Sequence, residues 1–109
     1  MDISSPALAD VTSEDCLNLD IVTPANVHDD EELLPVIFFI HGGGFKSGST
    51  YDANLWNIAA NENVVTVSIN HRLDVLGFYP FGPNNEGGMN GILDQVRALE
   101  WVQQRISYF

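Results

Sequence analysis

Val36-Ile37-Phe38-Phe39-Ile40 runs without a break into His41-Gly42-Gly43-Gly44-Phe45. Five consecutive β-branched and aromatic residues read as a strand buried on both faces, the type that parallel sheets use. Three glycines directly after it let the chain turn sharply and gather several backbone N–H groups on one concave surface, with no Cβ in the way. Such a group of donors suits negative charge developing on a carbonyl oxygen, an oxyanion hole. A plain strand-to-loop turn is the alternative at this point. Phosphate binding fits less well. A P-loop needs glycine directly before Lys-Ser, and Phe45 precedes Lys46-Ser47. A dinucleotide fingerprint needs a helix opening on its last glycine, and Gly48-Ser49-Thr50-Tyr51-Asp52 reads as loop.

Downstream, Asp52 to Asn61 carries Leu55, Trp56, Ile58, Ala59 and Ala60, a short helix with Asp52 as its candidate N-cap. Val64 to Ile69 repeats the buried-strand pattern. Residues 70–89 are dense in Gly, Pro and Asn and read as a long loop. Asn90 to Ser107 is the clearest helix. Its stripe is Ile92, Val96, Leu99 and Ile106, widened by Leu93 and Val102, with Trp101 pointing elsewhere. Upstream, Leu17, Leu19 and Ile21 alternate as a half-buried strand closed by Pro24. Residues 1–13 read as an irregular lead-in, and Asn26 to Glu32, ending in four acidic residues, as a solvated loop. Strand, helix, strand, helix predicts an α/β layered fold with a mostly parallel central sheet and flanking helices, one unit over residues 1–109.

Composition narrows the function. The chain is 109 residues long, 45% hydrophobic and 17% charged, which predicts a buried core rather than disorder. Four Lys and Arg face fifteen Asp and Glu, a net charge of -11. Phosphate neutralisation supplies most nucleic-acid affinity, so nucleic acid is excluded as a partner, and anionic lipid is disfavoured. The longest apolar run is the five residues of Val36 to Ile40, far short of the ~18 of a membrane span. The first residues carry neither a basic region nor an apolar run, so no signal peptide is expected within them, and the compartment stays open. Cys16 is the only cysteine and reads as a buried, inert thiol. His28, His41 and His71 lack metal-ligand spacing. Arg72 follows the second buried strand, and Asp94 is placed in the first turn of the last helix, where the macrodipole favours a carboxylate and a guanidinium can pair with it. Separate solvated charges are the alternative.

Four blocks then align with one family. Ser13-Glu14-Asp15-Cys16-Leu17-Asn18-Leu19-Asp20, with Pro24 beyond, resembles a signature of the type-B carboxylesterases, the family shared by cholinesterases and neuroligins. Pro35 to Gly48 resembles that family's oxyanion strand and loop. Asn70-His71-Arg72-Leu73 with Leu76-Gly77-Phe78 is similar to the third block, and Gly91 to Gln95 with Leu99 to Gln103 to the fourth. The resemblance runs from Ser13 to Phe109 and implies part of an α/β-hydrolase fold. Gly43 and Gly44 then match the backbone donors of the oxyanion hole, Gly42 the glycine that shapes the turn, and His41 the residue opening the motif. Asp94 and Arg72 match a structural salt bridge. Glu14 matches an acidic position whose arginine lies upstream in the family, and Cys16 matches half of a disulfide whose other half also lies upstream. No cofactor or metal is implied.

Three positions depart from the family pattern. Asp74 stands where a small residue, often glycine, is usual. His71 replaces a common tyrosine, and Gly88-Met89-Asn90-Gly91 has its asparagine displaced by one. The largest difference is that no G-x-S-x-G nucleophile elbow occurs in these residues. In the family it follows the block matching Trp101 to Phe109, with the triad acid and histidine later still. The expectation is therefore the N-terminal part of a carboxylesterase domain, inactive alone, whose substrate in the whole protein is a small carboxylic ester. The alternative is a non-catalytic, neuroligin-like binding relative, distinguished by a glycine in place of the nucleophile serine. By analogy with the fold, Val36–Ile40 is expected to pair with Val64–Ile69 on one side only, leaving an open edge.

Overall fold

The computed structural model describes residues 13–25 and 33–109. Residues 1–12 of the lead-in and the loop Asn26 to Glu32, with His28, lie outside them. Among the described residues three strands and three helices follow in order: β1 (Leu19–Val22), β2 (Val36–Ile40), α1 (Leu55–Glu62), β3 (Val65–Ile69), α2 (Asp74–Phe78) and α3 (Asn90–Arg105). Single 3₁₀ turns cover Thr50–Asp52, Pro83–Asn85 and Ile106–Tyr108.

The sheet order is β1-β3-β2. β2 runs parallel to β3, with Val36 opposite Val65 and Ile40 opposite Ile69. β1 runs antiparallel to β3, with Leu19 opposite Ile69 and Val22 opposite Thr66. The expected mostly parallel sheet is therefore mixed among the described residues: one parallel pair and one antiparallel pair. Every residue of β3 is buried. Its side chains alternate between faces. Val67 and Ile69 meet Val102 of α3, with Leu19, Ile21, Phe38, Ala98 and Ile106 packed around them. Full burial of side chains this size contributes about 1.5–3 kcal/mol each. On the opposite face, α1 buries Leu55 and Ala59, and Leu55 lines one groove with Val22 and Ser68.

β2 corrects the expectation of a strand buried on both faces. Val36, Ile37 and Ile40 are each 39% exposed. β2 and β3 carry the same kind of apolar run, but only β3 has a strand on each side. As expected, β2 pairs with β3 along one edge, and no described strand borders the other.

Helix α3 departs from its predicted stripe. Asp94, Ala98, Val102 and Ile106 stand four residues apart on one face, and the last three pack on the sheet. Leu93, Val96 and Leu99 are exposed instead. Asp94, whose ion pair is described below, shares this docking face, and Leu93, Val96 and Leu99 are left open. Asp52 is not the N-cap of α1; Asn54 holds that position without a side-chain bond. Asp52 instead accepts the Ser49 N–H at 2.8 Å and closes a capping box on the 3₁₀ turn.

The layers form a slab of 52 × 47 × 20 Å with a radius of gyration of 16.6 Å. A close-packed domain of this length has about 13 Å. Among the described residues the buried apolar core is Leu55, Ala59, Val65, Val67, Ile69 and Val102, while β2, α1 and α3 all display exposed apolar side chains. An open apolar strand edge is a template for association. The 109-residue chain by itself is expected to elute from size exclusion above monomer mass and to bind a hydrophobic dye; a sharp two-state melt of a monomer contradicts this.

Candidate functional site

The glycine-rich stretch leaves the carboxyl end of β2 and lies on the surface. Gly42 through Gly48 are all exposed. The Gly43 carbonyl accepts from Lys46 N–H at 3.1 Å and from Ser47 N–H at 3.4 Å, closing a tight turn. That turn requires φ +115° at Gly43, and a Cβ there would overlap the backbone carbonyl of Ser47. Only glycine fits. Gly44 also has a positive φ, +62°, but a Cβ there would meet no atom within 4 Å. Gly48 closes the loop against the His41 ring, where a Cβ would collide with Nδ1. In sequence Gly48 looks like ordinary loop; the residue that it packs against is seven positions away.

Side chains from residues 70–89 clamp this loop. His41 and His71 are buried, at 6% and 3% exposure. Their rings stack at a centroid distance of 4.7 Å and an angle of 7°. Phe45 sets its edge against His71 at 6.2 Å and against Phe78 at 5.0 Å. The Phe45 carbonyl accepts the Asp74 N–H at 2.7 Å. Asn70 accepts the Thr50 N–H at 3.0 Å and donates to Asn18 Oδ1 at 2.7 Å, joining the far end of the loop to the residue before β1.

The expected long loop over residues 70–89 thus contains α2, a single short helix supporting the glycine turn. Its signal was hidden because it lasts only five residues and lacks a side-chain cap. Asp74 opens it at φ +48°. This is the position where the family pattern has a small residue, often glycine, which adopts that conformation without steric cost.

Arg72 and Asp94 come together as a forked ion pair. The guanidinium donates to Asp94 through Nε at 2.8 Å and Nη2 at 2.7 Å, and the Arg72 backbone N–H adds a third bond at 3.0 Å. The Asp94 side chain is 7% exposed and that of Arg72 36%. Burial pushes the Asp94 carboxyl up, but the Arg72 side-chain and backbone hydrogen bonds outweigh it and hold the group below the usual carboxylate value. The same hydrogen bond raises the Arg72 pKa. Asp94 lies in the second turn of α3, since the helix begins at Asn90, so the partner rather than the macrodipole stabilises it. Gly77 and Gly91 both pass so close to the Arg72 carbonyl that a Cβ on either would stand 2.5 Å from it.

Cys16 is half-buried and unpaired, rather than buried as its type suggested. Glu14 is exposed. Among the described residues no group of three or more His, Cys, Asp or Glu converges as a metal site, and no helix is long and apolar enough to cross a membrane.

With a glycine loop at the carboxyl end of β2 in a helix-covered sheet, the fold is that of the α/β-hydrolase class, as its structural likeness shows. The structure superimposes on the PNB esterase with a TM-score of 0.75 and 35% sequence identity, over 87% of this chain and 21% of that one. The carboxylesterase family model matches residues 1–109, and the chain belongs to the carboxylesterase family. It is 52% identical over 99 residues to the pyrethroid hydrolase Ces2e of Rattus norvegicus, covering 89% of this chain and 17% of that protein. It is 50% identical over 103 residues to the cocaine esterase of Homo sapiens, covering 93% and 18%. The chain therefore spans less than one fifth of the length of these relatives.

Proposed function

We propose that this chain supplies the oxyanion-hole loop of a serine carboxylic-ester hydrolase, with the N–H groups of Gly43 and Gly44 as its donors. The observation that carries the reading is the exposed turn at the end of β2, whose positive φ angles at both glycines leave these N–H groups without a partner among the described residues. In ester hydrolysis, attack on the carbonyl places a negative charge on its oxygen. Fixed N–H donors about 2.7–3.1 Å from that oxygen stabilise the transition state more than the substrate. The serine that attacks, and the acid and histidine that serve it, are assigned to the remainder of the same domain. The chain alone is expected to be inert, because no acyl-enzyme can form without the nucleophile. Relatives named for cocaine, pyrethroid and acylcarnitine hydrolysis support an ester as substrate, and a loop that contacts only the acyl oxygen is compatible with all of them.

The test is a chimera in which residues 1–109 replace the matching segment of human cocaine esterase. It is expected to hydrolyse p-nitrophenyl acetate. Gly44→Pro, which removes the N–H and also cannot adopt the φ of +62° at that position, is expected to lower kcat by at least about 10²–10³-fold. Unchanged turnover in that variant overturns the reading.

A further inference from the structure

We infer that His41 is a positioning residue for the oxyanion loop, acting through the carbonyl of Gly42 on the N–H of Gly43; this rests on the function proposed above. A peptide unit is planar and trans, so its C=O and N–H point in opposite directions. The Gly42 carbonyl and the Gly43 N–H belong to one such unit. His41 Nδ1 lies 2.8 Å from the Gly42 oxygen. A carbonyl can only accept, so Nδ1 carries the proton and donates. That bond holds the Gly42 carbonyl toward the protein and turns the Gly43 N–H to the opposite side.

The next peptide unit is held in the same way. The Gly43 carbonyl is pinned by the Lys46 and Ser47 N–H groups, which fixes the direction of the Gly44 N–H. Each donor is thus aimed by a hydrogen bond on the carbonyl at the other end of its own peptide plane. One plane is held by the backbone and the other by a side chain. His41 is therefore the one side chain that fixes a donor directly.

The ring is itself held in place. His71 stacks on it, and His71 Nδ1 lies 3.2 Å from the Arg72 carbonyl. Gly48 lies so close to its Nδ1 edge that any side chain there would collide with the ring. His41 Nε2 is buried without a partner among the described residues, so the Nδ1 bond is the ring's only polar contact there.

The chimeric esterase separates the donor from the ring. Asn places an N–H close to the position of Nδ1 but has no ring to stack. Phe keeps the stack on His71 but cannot donate. His41→Phe is expected to lose about 10–100-fold in kcat with KM within threefold of the parent, the scale of weakening rather than removing one donor. His41→Asn is expected to stay within about threefold of the parent kcat. The proposal is overturned if Phe equals or exceeds Asn, including the case where both lose activity together through loss of fold, which a thermal melt reports. Gly44→Pro in the same background tells the two failures apart. If it is inactive while Asn and Phe are equal, only the role of His41 falls; if it keeps full turnover, the oxyanion assignment falls and His41 with it.

Discussion

Gly43→Ala in the chimeric esterase is expected to lower kcat for p-nitrophenyl acetate by about 10³-fold or more, beyond the effect of removing a single oxyanion donor. The added Cβ would lie on the carbonyl of Ser47, and backbone on both sides is already committed. Ser47 N–H and Lys46 N–H hold the Gly43 oxygen, and Gly48 is packed on the His41 ring. Relieving the overlap means opening the turn, which displaces the Gly43 and Gly44 N–H groups together. Gly44→Ala is the control. It shares a positive φ but meets open space, so only the left-handed backbone strain of about 1 kcal/mol applies. Its turnover is expected to stay within about tenfold. Steady-state kinetics on the two purified variants decide the matter, and equal losses would show that steric overlap at Ser47 is not what makes Gly43 necessary.

Arg72→Met is expected to destabilise the folded protein by about 3–5 kcal/mol, because it strands a nearly buried carboxylate. Asp94→Asn should cost less, about 2 kcal/mol. The amide still accepts one hydrogen bond, and a guanidinium with a 36% exposed side chain can turn to water. The pair also imposes a direction on the pH dependence. The Asp94 carboxyl is held below its ordinary value in the folded state, whereas the unfolded chain returns it to about 3.9. Its contribution is present above that value and disappears as the pH falls through the folded-state value. Urea denaturation of the chimeric esterase between pH 2 and 7 should therefore show the parent losing its advantage over Asp94→Asn below about pH 4. An advantage that persists to the lowest pH would remove the ion pair as its cause. So would Asp94→Asn proving the more damaging substitution.

What could be read in advance follows the range of the interactions. The strands announced themselves through local composition, because continuous β-branched and aromatic runs favour extended backbone wherever they sit. The turn at Gly43 was equally local, since its hydrogen bonds close within four residues. The pairing of Arg72 with Asp94, 22 positions apart, is one of two readings that the residues leave open, and resemblance to a family favours it. No periodicity of the residues themselves points to it. The docking face of α3 is legible only in part: Val102 and Ile106 of the expected stripe pack on the sheet, whereas Val96 and Leu99 stay exposed. Two apolar rows lie on that helix, and periodicity alone does not say which one meets the sheet.

The amino-acid order alone therefore determined the alternation of strands and helices, the glycine turn after β2 and the identity of the family. Those depend on backbone preference and on contacts between near neighbours. Only the folded chain decided that β3 rather than β2 is the buried strand, that Asp74 and Phe78 brace Phe45, and that His71 lies flat on His41. Burial and ring stacking depend on what arrives from distant parts of the chain, and a residue's type records how well it suits such company but not which company it keeps.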